Sequence, residues 1–326
     1  MNKQELVNKV LGFVPQEKKY DNLQAAKEYA PANFALIKYW GKQDDKLNIP
    51  MTDSISMSLG DGYGTTTQIS KSDEDIFILN DKNIDNSAKE FKKTFDFVNL
   101  FRNQDLKLKI ESKNDLYTAS GLATSASGFA ALVLALNSFF KWNLSEEKLS
   151  ILARIGSGSA SRSIYKNALV RLSTKEKEYA YSYKLDYKMD SLYLGLLTFG
   201  NVEKKTSSRD GMNITTSTSI LYQNGWKKQV EHDIEQLEKA FNDNDWQLFQ
   251  NTVQLNALAM HATAISSAII YWNAQTLENI NKVLDLQQQG EHICFTEDAG
   301  PHLKLLSDKK ETIEKYFPGI DILKIF

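Results

Sequence analysis

The segment Ala119–Leu132, ASGLATSASGFAAL, is a run of small residues passing into an apolar helix. Holding a phosphate on backbone N–H groups requires residues small enough for close approach, and a helix N-terminus adds about half a positive charge. Gly121, Ala123 and Ala126 supply low bulk, and Thr124, Ser125 and Ser127 supply hydroxyls. A helix start packed tightly on a sheet would use the same residues, so composition alone leaves both readings open at even weight. The pattern GxxxxGK[ST] is absent, which disfavours a P-loop NTPase. Gly156–Ser161, GSGSAS, lacks the third glycine of a dinucleotide fingerprint and follows a helical run.

Charged and hydroxyl residues cluster in four further places. Ala30–Leu59 holds Lys38, Tyr39 and Lys42 close together, with Asn33 just before them. Two lysines and a phenol suit an anionic ligand, although an isolated KxxxK reads as an edge strand with solvated lysines. In Arg154–Tyr165, RIGSGSASRSIY, serines and glycines alternate before Arg162. A guanidinium can grip a carboxylate or phosphate through two parallel hydrogen bonds; alone, the segment equally describes a capped helix start with a surface arginine. Lys204–Asn213, KKTSSRDGMN, is another Ser/Arg/Gly cluster, after a core strand. In Phe295–His302, FTEDAGPH, Asp298 stands at a strand end before Ala-Gly-Pro, where a turn aims its carboxylate out of the sheet. A lone strand-end Asp is more often a turn former than a catalyst. His292 and Cys294 alternate on one strand, but no further Cys or His stands at ligand spacing. His261 reads as a half-buried structural histidine.

Positioning these residues requires a mixed α and β scaffold. Residues 65–70, 76–79 and 106–110 read as strands by alternation or β-branched content. Ala88, Phe91, Phe95 and Val98 recur at helical spacing after Ser87, a candidate N-cap. Residues 128–140 are apolar nearly all round, the mark of a buried helix. Ser145 with Glu146 and Glu147 opens another helix, acids at the positive end of its dipole. Residues 192–199 read as a core strand. Beyond it the pattern turns helical over 231–241, 245–263 and 268–289, with short strands at 292–296 and 322–326. The change of pattern places a boundary near residue 190 and predicts two α+β lobes, 1–190 and 191–326, with a cleft between them.

The 326-residue chain is 42% hydrophobic and 25% charged, an ordinary globular composition that excludes wholesale disorder. Lys+Arg 39 against Asp+Glu 41 gives a net charge of -2, without the basic excess of a nucleic-acid binder. The single cysteine, Cys294, excludes an internal disulfide and fits a reducing compartment. No apolar run suits a signal peptide or a membrane helix, so the reading is a cytoplasmic protein with neither a membrane nor a nucleic-acid partner.

Taken together, NFALIKYWGK, ASGLATSASG, GSGSASRSIY, SSRDGM and FTEDAGP resemble the diphosphomevalonate decarboxylase family of the GHMP small-molecule kinase superfamily. They occur in family order from Ala30 to His302, and NALAMHAT (Asn256–Thr263) is similar to the family's helix at that position. The resemblance implies a two-lobed α+β GHMP kinase fold, with an N-terminal lobe like the second domain of ribosomal protein S5, a ferredoxin-like C-terminal lobe and the active site between them. It implies ATP and Mg2+ as cofactors and decarboxylation of (R)-5-diphosphomevalonate to isopentenyl diphosphate. ATP would lie along Gly121, Leu122, Ala123, Thr124, Ser125 and Ser127. Magnesium would arrive on ATP, with Ser125 the candidate protein ligand and no dedicated metal site assigned. Asp298, Lys42 and Arg162 would be catalytic, and Asn33, Tyr39, Lys42, Ser157, Gly158, Ser159, Arg162, Ser208, Arg209 and Met212 would hold the substrate. A homodimer is implied as well.

The residue types suit such a reaction. A β-hydroxy acid loses carbon dioxide only if electrons have somewhere to go, and a phosphorylated tertiary hydroxyl is a leaving group that accepts them. Asp298 would orient or deprotonate the hydroxyl. Lys42 would set the pKa of Asp298 and neutralise developing charge. Arg162 would hold the carboxylate in line. The chain departs from the family pattern in having Tyr117 where the nucleotide loop opens with proline, Lys166 and Asn167 where two glycines follow SIY, and no acid in TTSTS, Thr215–Ser219. Two alternatives compete: a mevalonate or phosphomevalonate kinase that stops after phosphorylation, and a catalytically silent ligand-binding protein on the same fold. Asp298, Lys42 and Arg162 together favour decarboxylation.

Overall fold

The structure, a computed structural model, describes residues 1–115, 124–187, 189–200 and 205–326. The chain divides into two compact units. The first comprises 1–33, 43–49 and 58–184; the second comprises 34–42, 50–57 and 185–326. Sequence patterning places one changeover near residue 190, whereas the chain changes over at Leu185 and two early segments join the second unit. Those segments carry strands, Asn33–Ile37 and Ser54–Ser58, that are buried at every position. Burial on both faces removes the alternation that would mark such strands in sequence.

The first unit is built on a five-stranded sheet in the order Ala26–Pro31, Gly64–Lys71, Leu108–Asn114, Ile76–Leu79, Lys82–Asn83. Gly64–Lys71 runs antiparallel to both neighbours, placing Ile69 opposite Ala26 on one side and Ile110 on the other. Ile76–Leu79 is parallel to Leu108–Asn114, so the chain must cross over between them, and the helix Lys89–Val98 lies in that connection. Its cap position is Ala88. Ser87, the candidate cap, instead binds Asp85 Oδ1 through its backbone N–H and its hydroxyl.

The helix Thr124–Phe140 packs on Ala26–Pro31 and Gly64–Lys71. Ala130, Ala131, Val133, Ala135, Leu136 and Phe139 of this helix are fully buried, as an all-round apolar pattern requires. Ser145 caps Glu146–Gly156 by accepting from the Lys148 N–H. A 3-10 segment, Gly158–Ile164, follows directly, and the strands Ala168–Ser173 and Tyr181–Leu185 lie side by side.

The second unit holds an antiparallel sheet in the order Cys294–Glu297, Leu303–Ser307, Tyr193–Leu197, Ile322–Lys324. Ile280, Val283 and Leu286 from the helix Ala274–Gln288 pack with Phe295, Leu303 and Leu305 from the sheet and with Ile313 and Phe317. The helices Lys227–Asp243 and Trp246–Ile265 pack together. Asn244 joins them at φ 49, in the left-handed region that asparagine tolerates, and Asp245 caps the second helix by accepting from the Leu248 N–H. A shorter helix, Ser208–Thr218, is capped by Ser207.

Candidate active site

The strand Cys294–Glu297 ends at Asp298, where the Gly300 N–H donates back to the Asp298 carbonyl at 2.7 Å. This three-residue turn stops the ladder and frees the aspartate side chain. The returning strand sets Lys304 directly across from Thr296. Lys304 reaches diagonally and donates from Nζ to Asp298 Oδ2 at 2.8 Å. Lys38, just past the strand Asn33–Ile37, approaches Asp298 from another side: its Nζ donates to Asp298 Oδ1 at 3.3 Å, to Thr296 Oγ1 at 2.6 Å and to the Ala35 carbonyl at 2.9 Å. Each proton of the ammonium thus has an acceptor, which buried charge requires. Thr296 completes the arrangement by donating its own hydroxyl to the Ala35 carbonyl at 3.1 Å.

The main chain of Lys38 is fixed as well. Its N–H donates to Asn256 Oδ1 at 2.8 Å, and Asn256 Nδ2 donates to Asp233 Oδ2 at 2.7 Å. Gln229 Nε2 donates to the other oxygen of Asp233 at 2.8 Å. Two neighbouring helices therefore orient one amide, and that amide orients the lysine.

The electrostatics follow from burial and charge. Lys38 is 1% exposed, and burial lowers its pKa to about 8 against the raising effect of Asp298. For Asp298 burial acts upward, but the charges of Lys304 and Lys38 outweigh it and hold the carboxyl far below the usual range. The Asp298 side chain remains 40% exposed, so it meets both lysines and solvent. Behind it, His261 and Glu297 are fully buried. Burial and the Lys38 charge lower the His261 pKa to about 3, and burial raises that of Glu297 to about 8. Both are therefore neutral at neutral pH, and the cluster presents two cations against one anion.

Asp298 stands where its sequence position predicts. The first-segment lysine beside it is Lys38, four places before Lys42. Lys42 opens the short strand Lys42–Asp44 and is half-buried. The role read for Lys42, setting the pKa of Asp298, therefore falls to Lys38 together with Lys304. Lys304 escapes sequence reading because only the strand register sets it opposite Thr296. His261 is buried completely rather than half-buried. Between Lys38 and Lys42 stand Tyr39, half-buried, and Gly41 at φ 94, whose missing Cβ leaves room for the Tyr222 hydroxyl. Ser208, Arg209 and Met212 lie in the first turns of Ser208–Thr218, half-buried, exposed and buried respectively.

The first unit gathers Asn33, Ser157, Gly158, Ser159 and Arg162. Asn33 Nδ2 donates to Ser163 Oγ at 2.7 Å and to the Ser159 carbonyl at 3.2 Å, so this amide holds the 3-10 turn. The Ser157 and Ser159 hydroxyls stand 3.3 Å apart. The Arg162 carbonyl accepts from Ser58 Oγ at 2.8 Å. Lys166, in place of a family glycine, pairs with Asp61 and lies over the Tyr29 ring. Asn167 takes φ 49, a left-handed conformation that glycine and asparagine both reach, which explains how this position does without glycine.

Of the nucleotide-loop residues, Gly121, Leu122 and Ala123 lie outside the described residues. Thr124 begins the helix, Ser125 is exposed, and Ser127 is buried with its hydroxyl 2.7 Å from Thr65 Oγ1. No acidic residue stands in the first turn, so the N-terminal N–H groups face no competing carboxylate there. That donor set fits an anionic phosphate.

Residues 30–183 match the diphosphomevalonate decarboxylase-like N-terminal domain, and residues 196–319 match the mevalonate 5-diphosphate decarboxylase C-terminal domain. The diphosphomevalonate decarboxylase of Saccharomyces cerevisiae is 33% identical over 304 residues, covering 85% of this chain and 76% of that one. Among solved structures, mevalonate diphosphate decarboxylase from Staphylococcus aureus superposes with a TM-score of 0.83 at 34% identity, covering 93% of this chain and 95% of that one. The structure of MDDEF in complex with MVAPP, AMPPCP and magnesium gives a TM-score of 0.82 at 34% identity, covering 93% and 96%. The fold is thus that of the two-lobed GHMP small-molecule kinases. Within that class, the chain belongs to the diphosphomevalonate decarboxylase family.

Proposed function

We propose that this chain converts (R)-5-diphosphomevalonate to isopentenyl diphosphate at the expense of ATP, releasing ADP, phosphate and carbon dioxide. The observation that carries the reading is Asp298 held between Lys38 and Lys304, partly open to solvent. Membership of the family supplies the substrate.

ATP with magnesium supplies the phosphoryl group that turns the substrate's tertiary hydroxyl into a leaving group. On this chain, Ser125 and the N–H groups opening Thr124–Phe140 would bind its phosphates, with Gly121, Leu122 and Ala123. Magnesium would come with the nucleotide: among the described residues no group of three His, Cys, Asp or Glu side chains is gathered to hold an ion.

Asp298 accepts the tertiary hydroxyl's hydrogen bond and fixes its direction. A carboxylate held so far below its usual range is a weak base, so its main contribution is orientation, with proton removal late in a loose transfer. Lys38 and Lys304 stabilise negative charge as it develops beside the hydroxyl oxygen. From the family resemblance, Arg162 would hold the substrate carboxylate in line for departure, and Asn33, Tyr39, Lys42, Ser157, Gly158, Ser159, Ser208, Arg209 and Met212 would each contribute to binding the diphosphate or the substrate body. A homodimer in the cytoplasm is the form that the family resemblance implies; no described helix is long and apolar enough to cross a membrane.

Parallel measurement of ADP and carbon dioxide over several mevalonate phosphoesters tests the reading. Equal amounts of both products with the diphosphate ester are expected. A phosphorylated product without gas would instead mark a kinase, and no substrate-dependent ADP would mark a binding protein.

A further inference from the structure

Tyr39 and Lys42 flank the turn Trp40–Gly41, and Ser208, Arg209 and Met212 lie on the helix Ser208–Thr218; both segments belong to the second unit. Two bare glycines let buried phenols join them. A Cβ on Gly211 would collide with Tyr271 Oη and stand 3.5 Å from the Trp40 ring. A Cβ on Gly41 would collide with Tyr222 Oη and meet Thr216 Cγ2 at 3.1 Å. Each phenol thus fills the volume that an alanine methyl would need. Tyr222 Oη donates to the Trp40 carbonyl at 3.2 Å, which ties the turn to the chain just beyond the helix. Tyr271 Oη donates to the Ser207 carbonyl at 3.4 Å, and that carbonyl also accepts the Gly211 N–H at 2.9 Å. Tyr271 therefore holds the first turn of the helix at its cap and at its glycine. Its ring meets the Trp40 ring edge to face at 6.3 Å, and Trp40 is 2% exposed.

We propose that Tyr271 is a positioning residue for substrate binding: seated against Gly211 and Trp40, it sets the spacing between the turn carrying Tyr39 and Lys42 and the helix start carrying Ser208 and Arg209. The inference rests on the functional reading above, in which these side chains bind one anionic substrate. Groups from two segments grip one ligand well only if their separation is fixed before it arrives. The two hydrogen bonds are long and contribute modestly. Close packing is the stiffer restraint, because an added methyl in a filled space must push a neighbour aside. Tyr271 touches both segments, so a displacement of its ring changes their separation.

Steady-state kinetics of the wild type, Gly211→Ala, Tyr271→Phe and the double variant test this. Gly211→Ala is expected to raise the KM for diphosphomevalonate about 10-fold, the upper range of one hydrogen bond, with kcat and the KM for ATP within about twofold of the wild type. Tyr271→Phe loses only the hydroxyl and is expected to raise the same KM about threefold. In the double variant the ring carbon that bore the hydroxyl stands 3.2 Å from the new methyl, so the collision is relieved and its KM is expected to return to that of Tyr271→Phe. An unchanged KM in Gly211→Ala, effects that multiply in the double variant, or an equal loss of kcat and of affinity for both substrates overturns the proposal. A wild type that turns over nothing marks failure of the functional reading instead. Calorimetric titration of the same four chains with inorganic diphosphate then decides the inference separately. Weaker binding by Gly211→Ala, relieved in the double variant, supports it; equal binding by all four, or none by the wild type, overturns it.

Discussion

Lys38 Nζ and Asp298 Oδ1 meet at 3.3 Å although 260 positions separate them in the chain. Thr296 bonds the same ammonium, and both residues belong to one compact unit with Lys304. The segment carrying Lys38 is early in sequence but late in architecture, built into the unit that also supplies the acid.

Replacing Lys38 therefore differs from replacing Lys42. Lys38→Met removes a buried charge that contacts the Asp298 carboxylate, and kcat should fall about 10²–10³-fold, as for other preorganised electrostatic groups. Lys42→Met should act mainly through KM, in keeping with a place around the substrate. Steady-state kinetics of both variants check this; equal losses of kcat would show that the sequence reading of Lys42 had merit after all.

His261 makes stability depend on pH. The unfolded chain takes up a proton on this side chain near its ordinary value of 6.5, while the folded protein refuses it until about pH 3. The unfolded state thus binds more protons within that window, and stability falls as pH drops through it. Melting temperatures of the wild type and His261→Gln, compared over the window, should converge as pH falls, because the variant lacks this contribution. A constant difference would contradict it.

The two serines of the nucleotide segment should separate binding from folding. Ser127 is buried against Thr65, so Ser127→Ala should cost about 1 kcal/mol of stability, a typical lost hydrogen bond, with nucleotide affinity retained. Ser125 is exposed at the helix start, so Ser125→Ala should weaken ATP binding and leave the melting temperature in place. Calorimetric titration with magnesium-ATP and thermal melts of both variants supply the comparison.

Local patterns were readable where one rule acts alone. Ile76–Leu79 forms the strand its β-branched content predicts, Ser145 caps its helix, and Asp298 occupies its turn. Ser87 fits the cap pattern but is claimed by Asp85, two residues earlier, in a competing local turn. Elsewhere a long-range partner decides. Lys38 and Lys42 are both plausible from spacing, and only the position of Thr296 and Asp298 separates them. Lys304 lies in ordinary strand sequence; its importance comes from the register of one hairpin. The strand Asn33–Ile37 is buried throughout, so no alternation announced it.

The most direct test of the central claim is the rate of Asp298→Asn with diphosphomevalonate and magnesium-ATP, followed by carbon dioxide release. The amide keeps the size of the carboxyl but loses its charge between Lys38 and Lys304. A fall of at least about 10²-fold in kcat, with nucleotide affinity largely retained, is expected. Turnover near that of the wild type would contradict the assignment of Asp298 and, with it, the account of the site.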